Sequence, residues 1–198
     1  MKKSLIAASA SAVALAAMPV LSTFADVTDT VTITIQDACS VGQTSSSQTG
    51  GGSTFTESDA KNGQTYAWDA NSSTGGTLKV SCNDAGGWQI KAVGASEGAT
   101  NTSMKPTGSG TPIVTGTATT GADSNWAFKV AGTTGIDVVS TYSSYAAVPG
   151  TATKVASGAG AVSEGTLYTG YQVYVSPSQQ ADTYTGKVTY TVTHPNGN

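Results

Sequence analysis

The chain has 198 residues, nine Lys and no Arg against twelve Asp and Glu, and a formal net charge of −3. That balance argues against a nucleic-acid binder, and without arginine the bidentate fork used for phosphate and carboxylate recognition is missing. Gly, Thr, Ser, Ala and Val dominate while helix-filling Leu, Glu and Arg are scarce, so the sequence predicts an all-β protein.

The first residues read as an export leader. "MKK" is a positive start, "SLIAASASAVALAAMPVL" is an uncharged apolar run, and "STFA" offers small residues for cleavage after Ala25. An uncleaved anchor is the alternative, since the run approaches the length of a short membrane span. Its alanines and serines make it only mildly apolar, which favours secretion. Lys2 and Lys3 leave with residues 1–25, whereas every acidic residue stays. The remainder, 26–198, is expected to be one acidic extracellular domain, associated with the cell surface and without a membrane span.

Along that domain, "DTVTITIQ" (29–36) alternates Val31, Ile33 and Ile35 with threonines, the pattern of a half-buried strand. Cys39 follows just past it. "SVGQTSSSQTGGGSTFTES" (40–58) is low in complexity and predicts a flexible Ser/Gly/Thr-rich loop near 40–63. "GQTYAWDAN" is a short strand carrying Tyr66 and Trp68. "GTLKVSC" turns Leu78, Val80 and Cys82 to one face, and "GWQIKAV" does the same with Trp88, Ile90 and Ala92. A hairpin through Asn83 to Gly87 is the expected link. Residues 95–124 read mostly as loop, broken briefly by "PIVTG". "NWAFKVAG", "IDVVSTYSSYAAV" and "TKVA" read as shorter or less regular strands. Two long strands close the sequence, one with Leu167, Tyr171, Val173 and Val175, the other with Tyr184, Val188, Tyr190 and Val192, joined by "SPSQQAD". The sum is a two-sheet antiparallel sandwich.

Two cysteines at strand ends of an exported chain read most simply as a disulfide between Cys39 and Cys82, with a pair of free buried thiols as the alternative. Metal or catalytic use has less support, because no CxxC occurs and His194 is the lone histidine. His194 stands next to Pro195 near the terminus, where fraying is expected. With no second histidine there is no Ser-His or Cys-His relay to build, so no catalytic residue, metal or cofactor is assigned. A carboxylate pair drawn from Asp59, Asp69, Asp84, Asp123, Asp137 and Asp182 is the open enzymatic alternative. Asp84 and Asp182 read equally as turn formers. "NSS" (71–73) and "NTS" (101–103) match a glycosylation sequon and read as chance in Ser/Thr-rich loops.

The strand that ends in "GTLKVSC", the preceding cysteine and the final "SPSQQADTYTGKVTYTVTH" resemble bacterial surface sandwiches of the spore-coat-U and fimbrial-subunit type. That resemblance implies an immunoglobulin-like, Greek-key sandwich whose disulfide ties an early strand to its neighbour. "GGWQIKAV", "WAFKV" and "TYTGKVTYTVTHPNGN" are similar to segments of WxL-type wall-binding domains, which implies peptidoglycan as a ligand and Trp88 and Trp126 as contact residues. Secreted proteins of candidate-phylum bacteria look similar in the same way. The expected function is a surface structural or adhesive protein without catalytic activity. A wall-binding module and a donor-strand pilus subunit are the alternatives. Tyr142 and Tyr145 of "STYSSY" are the other candidate binding residues, for stacking on sugars, although a tyrosine-rich edge strand accounts for them equally well. The partner is then a cell-wall polymer, a surface glycan or a second copy of the chain.

Overall fold

Regular alternation shapes the central strands. In Gly76–Cys82 and in Trp88–Gly94 every second residue is buried and the intervening ones are half-buried, which a pleated strand produces when one face meets a core. The computed structural model describes residues 38–43, 57, 59–95 and 102–195, all within one compact unit. The leader, the predicted strand 29–36 and most of the predicted loop 44–58 lie outside the described residues.

In chain order the strands are β1 (Cys39–Gln43), β2 (Gln64–Trp68), β3 (Gly76–Cys82), β4 (Trp88–Gly94), β5 (Lys105–Pro106), β6 (Val114–Thr115) and β7 (Asn125–Gly132). β8 (Asp137–Val138), a 3-10 turn (Ser140–Tyr142), β9 (Ala146–Ala147), β10 (Thr153–Gly158), β11 (Val162–Val175), β12 (Tyr184–Thr185) and β13 (Val188–Thr193) follow. One sheet runs β1-β3-β11-β7-β6, with β2 also on β11 and β9 also on β7. The other runs β13-β4-β10-β8, and β12 with β5 forms a small ribbon. All pairs are antiparallel except β6 with β7. The chain is therefore an all-β, sandwich-like fold.

One core joins the inner faces of both sheets: Leu78, Val80, Phe128, Val130 and Leu167 from the first, Trp88, Ile90, Ala92 and Ala156 from the second. Burying each Leu, Ile or Phe stabilises the fold by about 1.5–3 kcal/mol. Across the interior the hydroxyls of Tyr171 (β11) and Tyr190 (β13) meet at 3.1 Å, tying sheet to sheet. Burial pushes both phenols up, Tyr190 well above the ordinary value.

Two expectations change and a third feature goes beyond them. First, Asn83–Gly87 is not a hairpin: β3 and β4 belong to different sheets, so the segment carries the chain across the sandwich. Asp84 Oδ1 accepts the Gly86 amide at 2.7 Å, and Gly87, at φ 95°, has Gly158 O where a Cβ would sit, so the sharp crossing requires glycine there. Alternation could not reveal this, because it fixes a residue's face and not its sheet. Second, the expected loop near 40–63 opens as strand, since Ser40–Gln43 pair with Leu78–Ser81. Third, β2 and β3 are one strand line in two pieces. β2 pairs with Val175 down to Tyr171 and β3 continues from Thr169 down to Val162, while residues 69–75 loop out between them.

Candidate functional site

The disulfide stands where register puts it. Cys39 and Cys82 are direct partners in the β1–β3 ladder, bonded, with Cα atoms 4.1 Å apart and a sequence separation of 43. Cys82 is 3 % exposed and Cys39 is half-buried. An open groove passes the bond, lined in part by Ala38, Asn83, Val162 and Ser163. Its far wall is the bulge of β11 between Val162 and Gly165.

At this end of the sandwich His194 does not fray. Its Nδ1 lies 2.8 Å from Asp84 Oδ2 and 3.9 Å from Cys39 Sγ, and its carbonyl accepts Gln89 Nε2 at 3.5 Å. The His194 hydrogen bond, followed by the Gly86 amide, holds the Asp84 carboxyl below the usual carboxylate range. Because one ring nitrogen serves both neighbours, the trio is not a proton relay, which needs opposite nitrogens. Sequence reading missed this cluster, since nothing in the residue order places position 194 beside positions 39 and 84.

The predicted binding residues separate into core and surface. Trp88 is 1 % and Trp126 is 3 % exposed, so neither presents a ring face to a polymer. Trp126 stacks on Tyr171 at 6.4 Å and donates Nε1–H to Thr102 O at 2.7 Å. Tyr142, half-buried in the 3-10 turn, packs on Phe128 with ring centroids 5.1 Å apart. Tyr145 reaches across the outer face of the first sheet, where its hydroxyl donates to Trp68 O at 3.3 Å. Lys129 Nζ stands 4.7 Å from the Tyr145 ring centroid and forms an ion pair with Asp69. Burial, then the Asp69 charge, raises the Tyr145 phenol. Such a contact of a cation with a ring face is worth about 0.5–1 kcal/mol at an exposed site. The strand line's break at 69–75 is what brings Asp69 to this cluster.

Three of the six candidate carboxylates are occupied by protein partners. Asp69 faces Lys129, Asp84 faces His194, and Asp182 accepts the amides of Gly108 and Gly110 at 3.0 Å. Those amides hold Asp182 below its ordinary pKa and tie the 107–110 loop to the β12 segment. Among the described residues no group of three His, Cys, Asp or Glu side chains is arranged for a metal, and no helix is long and apolar enough to cross a membrane. Family models, curated proteins and solved structures contain no match to this chain.

Proposed function

We propose that this chain is an exported surface protein, a non-catalytic sandwich with a structural or adhesive role, immunoglobulin-like in its Greek-key topology and related to the spore-coat-U and fimbrial type. The observation that carries the reading is a pair of strand edges left unpaired among the described residues, beside an apolar row that stays half-buried. Among the described residues β2 pairs only with β11 and β13 only with β4. Val188, Tyr190 and Val192 of β13, and Tyr171 and Val173 of β11, pack on the core while remaining half-buried. Uncovered edges invite pairing with another chain, which suits an assembling subunit. The disulfide agrees with an oxidising compartment, and the leader-like first residues with export after cleavage at Ala25.

Light scattering and sedimentation of the exported chain test this. Concentration-dependent oligomers are expected, and Ala67→Lys on β2 or Thr191→Lys on β13 should return them to monomers, because a lysine on an edge opposes strand addition. A monomer at every concentration overturns the assembling reading. Linear polymers held by an exchanged strand would move it to a pilus subunit.

A second reading, binding to a wall polymer or surface glycan, draws on Tyr145 with Lys129 and Asp69. It predicts saturable pelleting with purified peptidoglycan that Tyr145→Ala abolishes without loss of folding. Pelleting untouched by that change removes the platform from the reading.

A further inference from the structure

The disulfide, the groove and the His194–Asp84 pair meet at one place, and a purely structural crosslink uses only the first. Cys39 is half-buried and Cys82 is 3 % exposed, and both line the groove. His194 Nδ1 lies 3.9 Å from Cys39 Sγ, held there by its hydrogen bond to Asp84. An imidazole beside a cysteine favours the thiolate, the form that reacts with disulfides. The groove along the bond, about 660 Å³, is of the size that admits a small molecule.

We propose that Cys39 is the attacking sulfur of an exchangeable pair: in the reduced chain it takes up a small-molecule disulfide from the groove, and Cys82 then closes the bond. In the first step the Cys39 thiolate bonds to one sulfur of the disulfide, whose S–S bond breaks and releases one small thiolate. In the second step the Cys82 thiolate bonds to Cys39 Sγ and expels the other small thiolate. Each released thiolate takes a proton from solvent. The two cysteines lose two electrons, and the small disulfide gains them as two thiols. Cys82 is suited to the second step, because it faces Cys39 directly in the ladder and is the less exposed of the two. His194 acts here as a positioning residue for charge at Cys39. The reaction runs once per chain and goes beyond the surface role proposed above.

The experiment uses the full exported chain, reduced and freed of reductant, with its fold followed by near-ultraviolet circular dichroism. Oxidised glutathione is added, samples are acid-quenched, and peptide mass spectrometry locates the mixed disulfide. Glutathione is expected on Cys39 before ring closure and to remain there in Cys82→Ser. Cys39→Ser should leave Cys82 reacting several-fold slower than Cys39 does in Cys82→Ser. His194→Gln should slow the first step several-fold with an unchanged spectrum, and His194→Lys, which places an ammonium beside the sulfur, should recover part of it. First modification at Cys82, equal rates in the two single-cysteine variants, or no effect of His194→Gln would each overturn the proposal. Loss of the native spectrum on reduction would overturn it too, since His194 would no longer be held beside Cys39.

Discussion

Trp88 and Trp126 are buried to a similar degree but differ at the indole nitrogen. Trp126 donates to Thr102 O, whereas Trp88 Nε1 is enclosed with no hydrogen-bond partner among the described residues. Replacing each by Phe removes the same atoms, but only Trp126→Phe also breaks a bond of roughly 1 kcal/mol. Denaturant unfolding should therefore find Trp126→Phe less stable than Trp88→Phe by about that amount, and equal losses would contradict the account. Gly158 is the counterpart of Trp88: a Cβ there would meet the indole at 2.5 Å. Overpacking a core at such a contact costs about 1–3 kcal/mol, the drop expected for Gly158→Ala in the same assay. The carboxylates make the pH prediction. Asp69, Asp84 and Asp182 all sit below their ordinary range, through Lys129, His194 and the Gly108 and Gly110 amides respectively. A depressed carboxyl lends stability above its unfolded value, near 3.9, and that stability is lost as pH falls through the lower folded value. Thermal unfolding should thus be nearly flat down to about pH 5 and fall steeply below about pH 4. Asp182→Asn should flatten this acid limb, and an unchanged slope would remove Asp182 from the explanation. The turn-forming role of Asp84 was legible in its Gly-rich setting; the hold of Asp182 on the amides of Gly108 and Gly110, 74 and 72 positions away, and the partner of His194, 110 positions away, were not.

At the scale of elements, β11 organises the first sheet, pairing with β3 and β2 along one side and β7 along the other. Its Gly170 lies where the strand line breaks, and a Cβ there would meet Ala70 N at 2.5 Å and Trp68 O at 2.6 Å. Both obstacles are backbone, so neither can rotate away. Gly170→Ala should push residues 69–75 outward, separate Asp69 from Lys129, and raise hydrogen exchange in β2 more than in β3. Uniform exchange across both strands would show that they do not respond as separate pieces. The longer strands were legible: Gly76–Cys82, Trp88–Gly94, Asn125–Gly132 and Val162–Val175 carry clear alternation or apolar runs, whereas the last strand, read as continuous from Tyr184 to Val192, divides into β12 on β5 and β13 on β4. The two-residue strands β5 and β6 were not legible, since so short a pairing leaves no periodicity to read, and β8 and β9 are the two ends of "IDVVSTYSSYAAV", read as an irregular strand but interrupted by the 3-10 turn Ser140–Tyr142.

For the whole molecule, the Cys39–Cys82 bond closes a loop with a sequence separation of 43. On the chain-entropy estimate a crosslink of that length stabilises by about 4 kcal/mol. The double Cys→Ser variant should unfold at correspondingly lower denaturant with its native spectrum intact, whereas unchanged stability would show that the reduced unfolded chain is already restrained. The bond also marks how far residue order alone could reach. Composition, β-branched runs and period-2 alternation determined an all-β protein, its inward-facing side chains, and the two cysteines available to join, because those features act within one strand. Only the tertiary structure decided which strands share a sheet, that Asn83–Gly87 crosses the sandwich, and that Asp84, His194 and Cys39 meet. Sheet membership and distant contacts arise from packing both faces against one core, and local alternation is the same whichever sheet a strand joins.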